Sequence, residues 1–330
     1  MKLLLNKLLE SQTLSRQEAF DLMHGIADER LNHAQIAAIL ASFIMRSISL
    51  EELMGFRKAL LELAIKPDLN NGDVIDLCGT GGDGRNTFNI STLASIVTAG
   101  AGIPVGKHGN YGVSSNSGSS NVMEHFGYRF SNDEDKLKRE LDATGITFMH
   151  APLFHPALKA AGPVRKQLGI KSFFNILGPL VNPAKPHYQT SGVFNLETGR
   201  IYSYLLQKES KDFRVVHSLD GYDEISLTSD SRVFSLNGEQ IVTVDDFGFT
   251  PNSHEDLYGG EGVEDAAGIF LKVLKNEASE PQKNVVVANS AMAINCYNKN
   301  LTLREAAGLA SDSLSSGRAL KTFNKLIDLQ

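Results

Sequence analysis

Val74-Ile75-Asp76-Leu77-Cys78-Gly79-Thr80-Gly81-Gly82-Asp83-Gly84 is the stretch from which the fold of this chain is read. A short apolar run stops in glycines, and a helical pattern begins near Ser91, so the segment predicts strand, loop and helix in that order. Glycines in such a loop let backbone amides approach an anion closely. The helix that follows turns the positive end of its dipole toward the same place. No Gly-Lys-Ser/Thr follows, so this is not a Walker loop. The order G-x-G-x-x-G with an acidic residue about 20 positions on is absent too. Taken alone, the loop reads equally well as a tight turn.

The residues after it point to chemistry. Thr87-Phe88-Asn89-Ile90-Ser91-Thr92 places four short polar side chains at the start of a helix. Asn89 or Ser91 is expected to act as the N-cap, and four such groups exceed what capping needs. They suit a ribose, phosphate oxygens or a metal-bound water. A second strand is predicted at Ile103-Pro104-Val105, followed by Lys107-His108-Gly109-Asn110. Ser114-Ser115-Asn116-Ser117-Gly118-Ser119-Ser120 then opens a helix that runs to Phe126 and closes at Gly127. In a parallel α/β sheet, both polar loops fall on the carboxyl edge, where ligands bind. Two anion-type loops on one edge suit a substrate with two phosphate groups.

Farther out, strands are predicted at 146–149 and 213–217, and a hairpin over 231–244 turning at Asn237-Gly238. Helices return from about Glu264, with a break at Gly317. The first ~65 residues read as three or four short helices. Three capping boxes mark them: Ser15 with Glu18, Asn32 with Gln35, and Ser49 with Glu52. Pro163, Gly169, Gly178, Pro179, Pro183 and Pro186 punctuate 163–186, which reads as a hinge or active-site loop rather than one regular element. The fold class is therefore α/β: a small N-terminal helical domain, then a larger α/β domain whose central, mostly parallel sheet is flanked by helices.

Composition narrows the function. Lys+Arg 32 against Asp+Glu 38 gives a net charge of −6, with no basic stripe of the kind that grips nucleic acid. Cys78 and Cys296 are the only cysteines, too few for a disulfide framework or a Cys-based zinc site. Met1-Lys2-Leu3-Leu4-Leu5 is interrupted by Asn6, Lys7 and Glu10, unlike a signal peptide. No apolar run reaches the ~18 residues of a membrane span. A cytoplasmic protein without membrane or nucleic-acid partners is expected.

In blocks spread over most of the chain, the sequence resembles the anthranilate phosphoribosyltransferase family, among the nucleoside-phosphorylase-like transferases. The blocks are GTGGD at 79–83, TFNIST at 87–92, KHGN at 107–110, SGS at 117–119, NILGPLVNP at 175–183 and DGYDEIS at 220–226. The resemblance implies transfer of the phosphoribosyl group of phosphoribosyl pyrophosphate (PRPP) to the amine of anthranilate, in tryptophan biosynthesis. It implies PRPP binding by Gly79, Gly82, Asp83, Thr87, Asn89, Ile90, Ser91, Thr92, Lys107, Ser115 and Ser119. Gly79, Asn110 and Arg165 would contact anthranilate, and Ser91, Asp223 and Glu224 would hold Mg2+. No general base is implied.

The family likeness further implies a homodimer. It also implies a helical domain over 1–70, completed by helices around 165–185 on the dimerisation and anthranilate side, and an α/β domain over 71–330. Physically, Arg165 has the planar fork that clamps a carboxylate. Lys107 reads as a phosphate point charge or as a solvated strand-end lysine. His108 is open between polarising and packing, while His150 and His155 read as structural. Asp223-Glu224 by itself does not stand out from Glu51-Glu52, Asp133-Glu134 or Asp245-Asp246. Two positions depart from the family pattern: Tyr111 where many members carry Arg, and Cys78 ahead of GTGGD. The alternatives are a pyrimidine nucleoside phosphorylase and a non-catalytic nucleic-acid-binding relative of the same fold.

Overall fold

The computed structural model describes residues 1–69, 72–112, 117–169, 171–209 and 211–330. The chain opens with helices α1 (Lys2–Leu9), α2 (Arg16–Ala27), α3 (His33–Met45) and α4 (Leu50–Leu63). All three expected capping boxes form, with Ser15, Asn32 and Ser49 each accepting from the amide three residues on. The Ser49 box carries a second duty. Its Glu52 is fully buried, accepts the Leu14 N–H at 2.8 Å and pairs with Arg46 at 2.5 Å. Desolvation pushes the Glu52 carboxyl up, but Arg46 and the amides of Leu14 and Ser49 outweigh it, so the group ends below its ordinary range.

Strand–helix alternation follows. The strands are β1 (Ile75–Leu77), β2 (Val105–Gly109), β3 (Ile146–His150), β4 (Tyr188–Gly192), β5 (Asp212–Ser218), β6 (Ser231–Ser235) and β7 (Gly238–Val242). Among the described residues they form one sheet in the order β3-β2-β1-β4-β5-β6-β7. The first five members pair in parallel, and β6 and β7 extend the edge in antiparallel fashion. The chain reverses its direction of travel across the sheet between β1 and β4. That switch point is where an open α/β sheet leaves a crevice at its carboxyl edge.

The intervening helices are α5 (Ile90–Gly100), α6 (Ser119–His125), α7 (Glu134–Thr144), α8 (Ala151–Phe154), α9 (Pro156–Leu168), α10 (Phe173–Leu177) and α11 (Leu196–Gln207). After β7 come α12 (Val263–Leu274), α13 (Glu280–Tyr297), α14 (Leu303–Ser315) and α15 (Arg318–Asp328). Two large apolar clusters result. One joins α5, α12, α13, α14 and α15 to one face of the sheet. The other joins the N-terminal helices to α9, α10 and α11. β5 separates them by its two-residue period: Phe213 and Val215 face the second cluster, and Val216 the first. Phe173 stacks on Phe56 with ring centroids 4.7 Å apart, rooting α10 among the first helices.

Several local expectations change. The second strand starts at Val105 rather than Ile103; Pro104 has no N–H to offer, and its carbonyl accepts the Ile75 N–H at 2.9 Å. The hairpin turns at Leu236-Asn237, not at Asn237-Gly238, because Ser235 pairs with Gly238 and the positive φ of 103° falls on that glycine. Pro163 lies inside α9, so 163–186 is a helix end, a second short helix and the 3-10 turn Gly178–Leu180.

Candidate active site

The carboxyl ends of β1 and β2, with the loop after β5, line one cleft beside the switch point. The loop leaving β1 is tied to its neighbour at once: the Thr80 N–H donates to the Gly192 carbonyl at 2.9 Å. Gly81, Gly82 and Gly84 have φ of 62°, 82° and 76°, the left-handed backbone that suits glycine. The loop delivers the chain to α5, whose N-cap position is Asn89. The expected cap does not form there. Asn89 instead donates through Nδ2 to the Ser117 carbonyl at 3.0 Å, which joins the first polar loop to the second. The first amides of α5 are thus left without a side-chain cap at the cleft, where an anion can take them.

Gly79, Gly82, Asp83, Thr87, Asn89, Ile90, Ser91, Thr92, Lys107, Asn110, Ser119, Arg165, Asp223 and Glu224 all line this one cleft. Ser115 lies outside the described residues. Ile90 and Thr92 are almost fully buried and form wall rather than surface. Ser119 sits so close that a Cβ on Gly109 would meet its Oγ at 2.5 Å. A side chain there would force the Ser119 hydroxyl to turn away.

Asp223 and Glu224 face the glycine loop and meet a third carboxylate, Asp83, that the loop itself carries. Asp223 Oδ2 accepts the Gly81 N–H at 2.6 Å, and the Asp223 N–H reaches Asp83 Oδ2 at 3.5 Å. Burial, then the charges of Asp83 and Glu224, hold the Asp223 carboxyl well above its usual range. Burial also pushes Glu224 up, to about 7, against the lowering effect of Lys107 and of hydrogen bonds from Ser91. Crowded acids of this kind call for a cation. Among the described residues no three His, Cys, Asp or Glu form a metal cage. Mg2+ keeps several waters and needs only one or two carboxylates, so Asp223, Glu224 and the Ser91 hydroxyl fit it.

Lys107 is not the solvated lysine that one reading allowed. It is 2% exposed, and its Nζ donates to the Leu77 carbonyl at the cleft floor. Its charge faces buried Asp76 and Glu224. His108 next to it is buried, donates through Nδ1 to the Gly178 carbonyl (3.1 Å), and leaves Nε2 without a partner among the described residues. Burial and then the neighbouring His155 push its pKa down to about 3, which keeps the imidazole neutral. On the opposite wall Arg165 lies over the Phe174 ring, 5.2 Å from its centroid. Burial alone lowers its pKa from the ordinary value.

The site also contains residues the sequence reading did not assign. Tyr111 lines the mouth, with its hydroxyl on Glu124 at 2.7 Å and its ring edge against His150. Phe174, Asn175, Gly178 and Pro179 supply wall from the segment 163–186. The density of glycine and proline there was the available signal. Nothing marked which of those side chains would face inward.

Comparison with known proteins identifies the family. Residues 71–320 match the family described as glycosyl transferase family, a/b domain, and residues 2–64 match glycosyl transferase family, helical bundle domain. A protein of Flavobacterium johnsoniae, named anthranilate phosphoribosyltransferase, is 52% identical over 329 residues, covering 100% of this chain and 99% of its own. One from Bacteroides thetaiotaomicron with the same name is 52% identical over the same shares. Among solved structures, anthranilate phosphoribosyltransferase from Thermus thermophilus superposes with a TM-score of 0.90 at 30% identity, over 99% of this chain and 98% of that one. The Saccharomyces cerevisiae enzyme in complex with PRPP and Mg gives 0.89 at 25% identity, over 98% and 96%. With identity of this level over the full length, and both family models matched in order, the chain belongs to the anthranilate phosphoribosyltransferase family.

Proposed function

We infer that this protein transfers the phosphoribosyl group of PRPP to the amine of anthranilate, giving N-(5-phosphoribosyl)anthranilate and pyrophosphate in tryptophan biosynthesis. The observation that carries the reading is the meeting, in one cleft, of an uncapped helix start, a triad of crowded carboxylates and a desolvated arginine. The division of labour follows from their chemistry. Loop amides from Gly79 to Asp83, with Thr87, Asn89 and Ser91, take phosphate and ribose oxygens; Ser119 holds the far end of the same substrate. Lys107 adds a positive charge at the floor. Asp223, Glu224 and Ser91 hold Mg2+, which when bound neutralises charge on the pyrophosphate leaving group.

Asn110 and Arg165 face the second substrate. The arginine fork meets the anthranilate carboxylate in two parallel hydrogen bonds, and that contact aims the amine at ribose C1. An aromatic amine is uncharged near neutral pH, so its lone pair is available without a strong base. His108, held neutral, is not needed as one. Positioning and stabilisation of the leaving group account for catalysis.

The test is the decay of anthranilate fluorescence on adding PRPP, with and without Mg2+. Decay that needs both supports the reading. No decay with both at saturation overturns it, and phosphorolysis of thymidine without PRPP would replace it with the phosphorylase alternative.

The N-terminal helices, with α9 and α10, are the anthranilate side and a dimerisation unit in this reading. Leu3, Leu9 and Met45, on α1 and α3, are 79%, 61% and 88% exposed, an apolar surface suited to a second copy. Sedimentation at the mass of two chains is expected; a monomer across micromolar concentrations rejects the dimer.

A further inference from the structure

We propose that Lys171 is a positioning residue for PRPP, acting as a strap from the anthranilate side of the cleft onto the glycine loop. The proposal rests on the transferase reading above. Lys171 is an exposed residue, yet its Nζ donates to the carbonyl of Gly82 on the opposite side of the cleft. Its stem lies over that glycine as well: a Cβ built at Gly82 would meet Lys171 Cδ and Cε at 3.5 Å and Nζ at 3.8 Å.

The root of the strap is firm. Ser172, the next residue, is the N-cap position of α10 and donates its N–H to Asn175 Oδ1 at 3.1 Å. Phe173 and Phe174 follow, buried, with Phe173 against Phe43 and Phe56 of the N-terminal helices. The tip touches the glycine-rich part of the other side. Gly81, Gly82 and Gly84 all hold positive φ, and glycine loses more freedom on ordering than any other residue. One hydrogen bond from a rooted side chain therefore removes disorder from the loop whose amides must converge on a phosphate.

Charge adds to the effect. An ammonium at the Gly82 carbonyl sits beside the amides that receive the diphosphate, and it raises the local potential for an anion. Arg165 lies six residues earlier on the same segment. The segment 165–171 thus presents one cation to each half of the site: Arg165 to the carboxylate substrate, Lys171 to the phosphate loop.

The experiment compares wild type with Lys171→Met and Lys171→Arg, measuring KM for each substrate, kcat and Tm. Met keeps most of the stem and removes the charge and donor; Arg keeps both. The expected result is a rise of about tenfold in KM for PRPP with Lys171→Met, with KM for anthranilate and Tm unchanged and most of the loss recovered by Lys171→Arg. An unchanged KM for PRPP overturns the proposal. So does an equal rise for both substrates, or a fall in Tm that Arg does not correct. Wild-type turnover in the same assay tests the transferase reading separately, since it does not depend on Lys171.

Discussion

The Gly81 N–H donates to Asp223 Oδ2 across 2.6 Å, so the loop that would bind phosphate and the carboxylate that would bind metal are joined directly. An acidic oxygen thus takes an amide that would suit an anionic substrate. Binding of Mg2+ at Asp223 and of diphosphate at the loop would then depend on each other. Asp223→Ala and Glu224→Ala are expected to lower Mg2+-dependent kcat/KM by at least about a hundredfold each, near 2.7 kcal/mol in the barrier. Titrating Mg2+ against activity checks this, and full activity at ordinary Mg2+ would remove both residues from the metal site.

Gly192 at the end of β4 holds the acidic loop by leaving room for it. A Cβ there would come within 1.4 Å of the Asp223 carbonyl oxygen, a backbone atom that cannot rotate away. Gly192→Ala should displace Asp223 and cost both activity and several degrees of Tm. Gly268 on α12 has nothing within 4 Å of its would-be Cβ, and alanine there should stabilise by about 0.5–1 kcal/mol. Thermal melts of the two variants side by side separate a steric clash from a general intolerance of alanine.

These relationships mark the limit of what the sequence disclosed. The three capping boxes were legible because each is settled within four residues. β4 was not, because Tyr188-Gln189-Thr190-Ser191-Gly192 has no apolar run to announce a buried strand. Its burial rests on contacts made outside the strand, as when Gln189 Nε2 donates to the Pro179 carbonyl at 2.6 Å. The acidic pairs show the same limit. Glu51-Glu52 and Asp223-Glu224 look alike as text, yet Glu52 is a cap locked to Arg46 while Asp223 faces the glycine loop. Lys107 could be read as solvated or as a phosphate contact, and its burial is decided by β1 and β3 on either side of its strand. The glycine loop and the resemblance located the cleft; the contacts that brace it are tertiary.

The Arg46–Glu52 pair should dominate the acid limb of stability for the N-terminal helices. The Glu52 carboxyl lies below its ordinary value when folded, so its contribution is present above the unfolded value near 4.5 and is lost as pH falls through the lower folded value. Arg46→Met leaves Glu52 buried without its partner. The expected cost is about 3–5 kcal/mol at neutral pH, shrinking as the pH drops and the carboxyl is neutralised. Chemical denaturation at pH 7 and pH 4 measures it, and equal losses at both would refute the ionic origin.

Arg165 offers the sharpest test of the second substrate's place. Among the described residues no carboxylate pairs with it; burial alone acts on its charge, and the Phe174 ring lies under it. A desolvated cation without an anionic partner is costly to keep, and an incoming carboxylate would relieve that cost. Arg165→Lys retains the charge but loses the planar fork and the flat contact with the ring. KM for anthranilate should rise by ten- to a hundredfold, about 1.4–2.7 kcal/mol, while KM for PRPP changes little. Aniline, which lacks the carboxylate, should be a poor acceptor for wild type and lose nothing further in the variant. If Arg165→Lys weakened PRPP as much as anthranilate, the arginine would belong to the sugar phosphate, and the assignment of the two half-sites would have to be reversed.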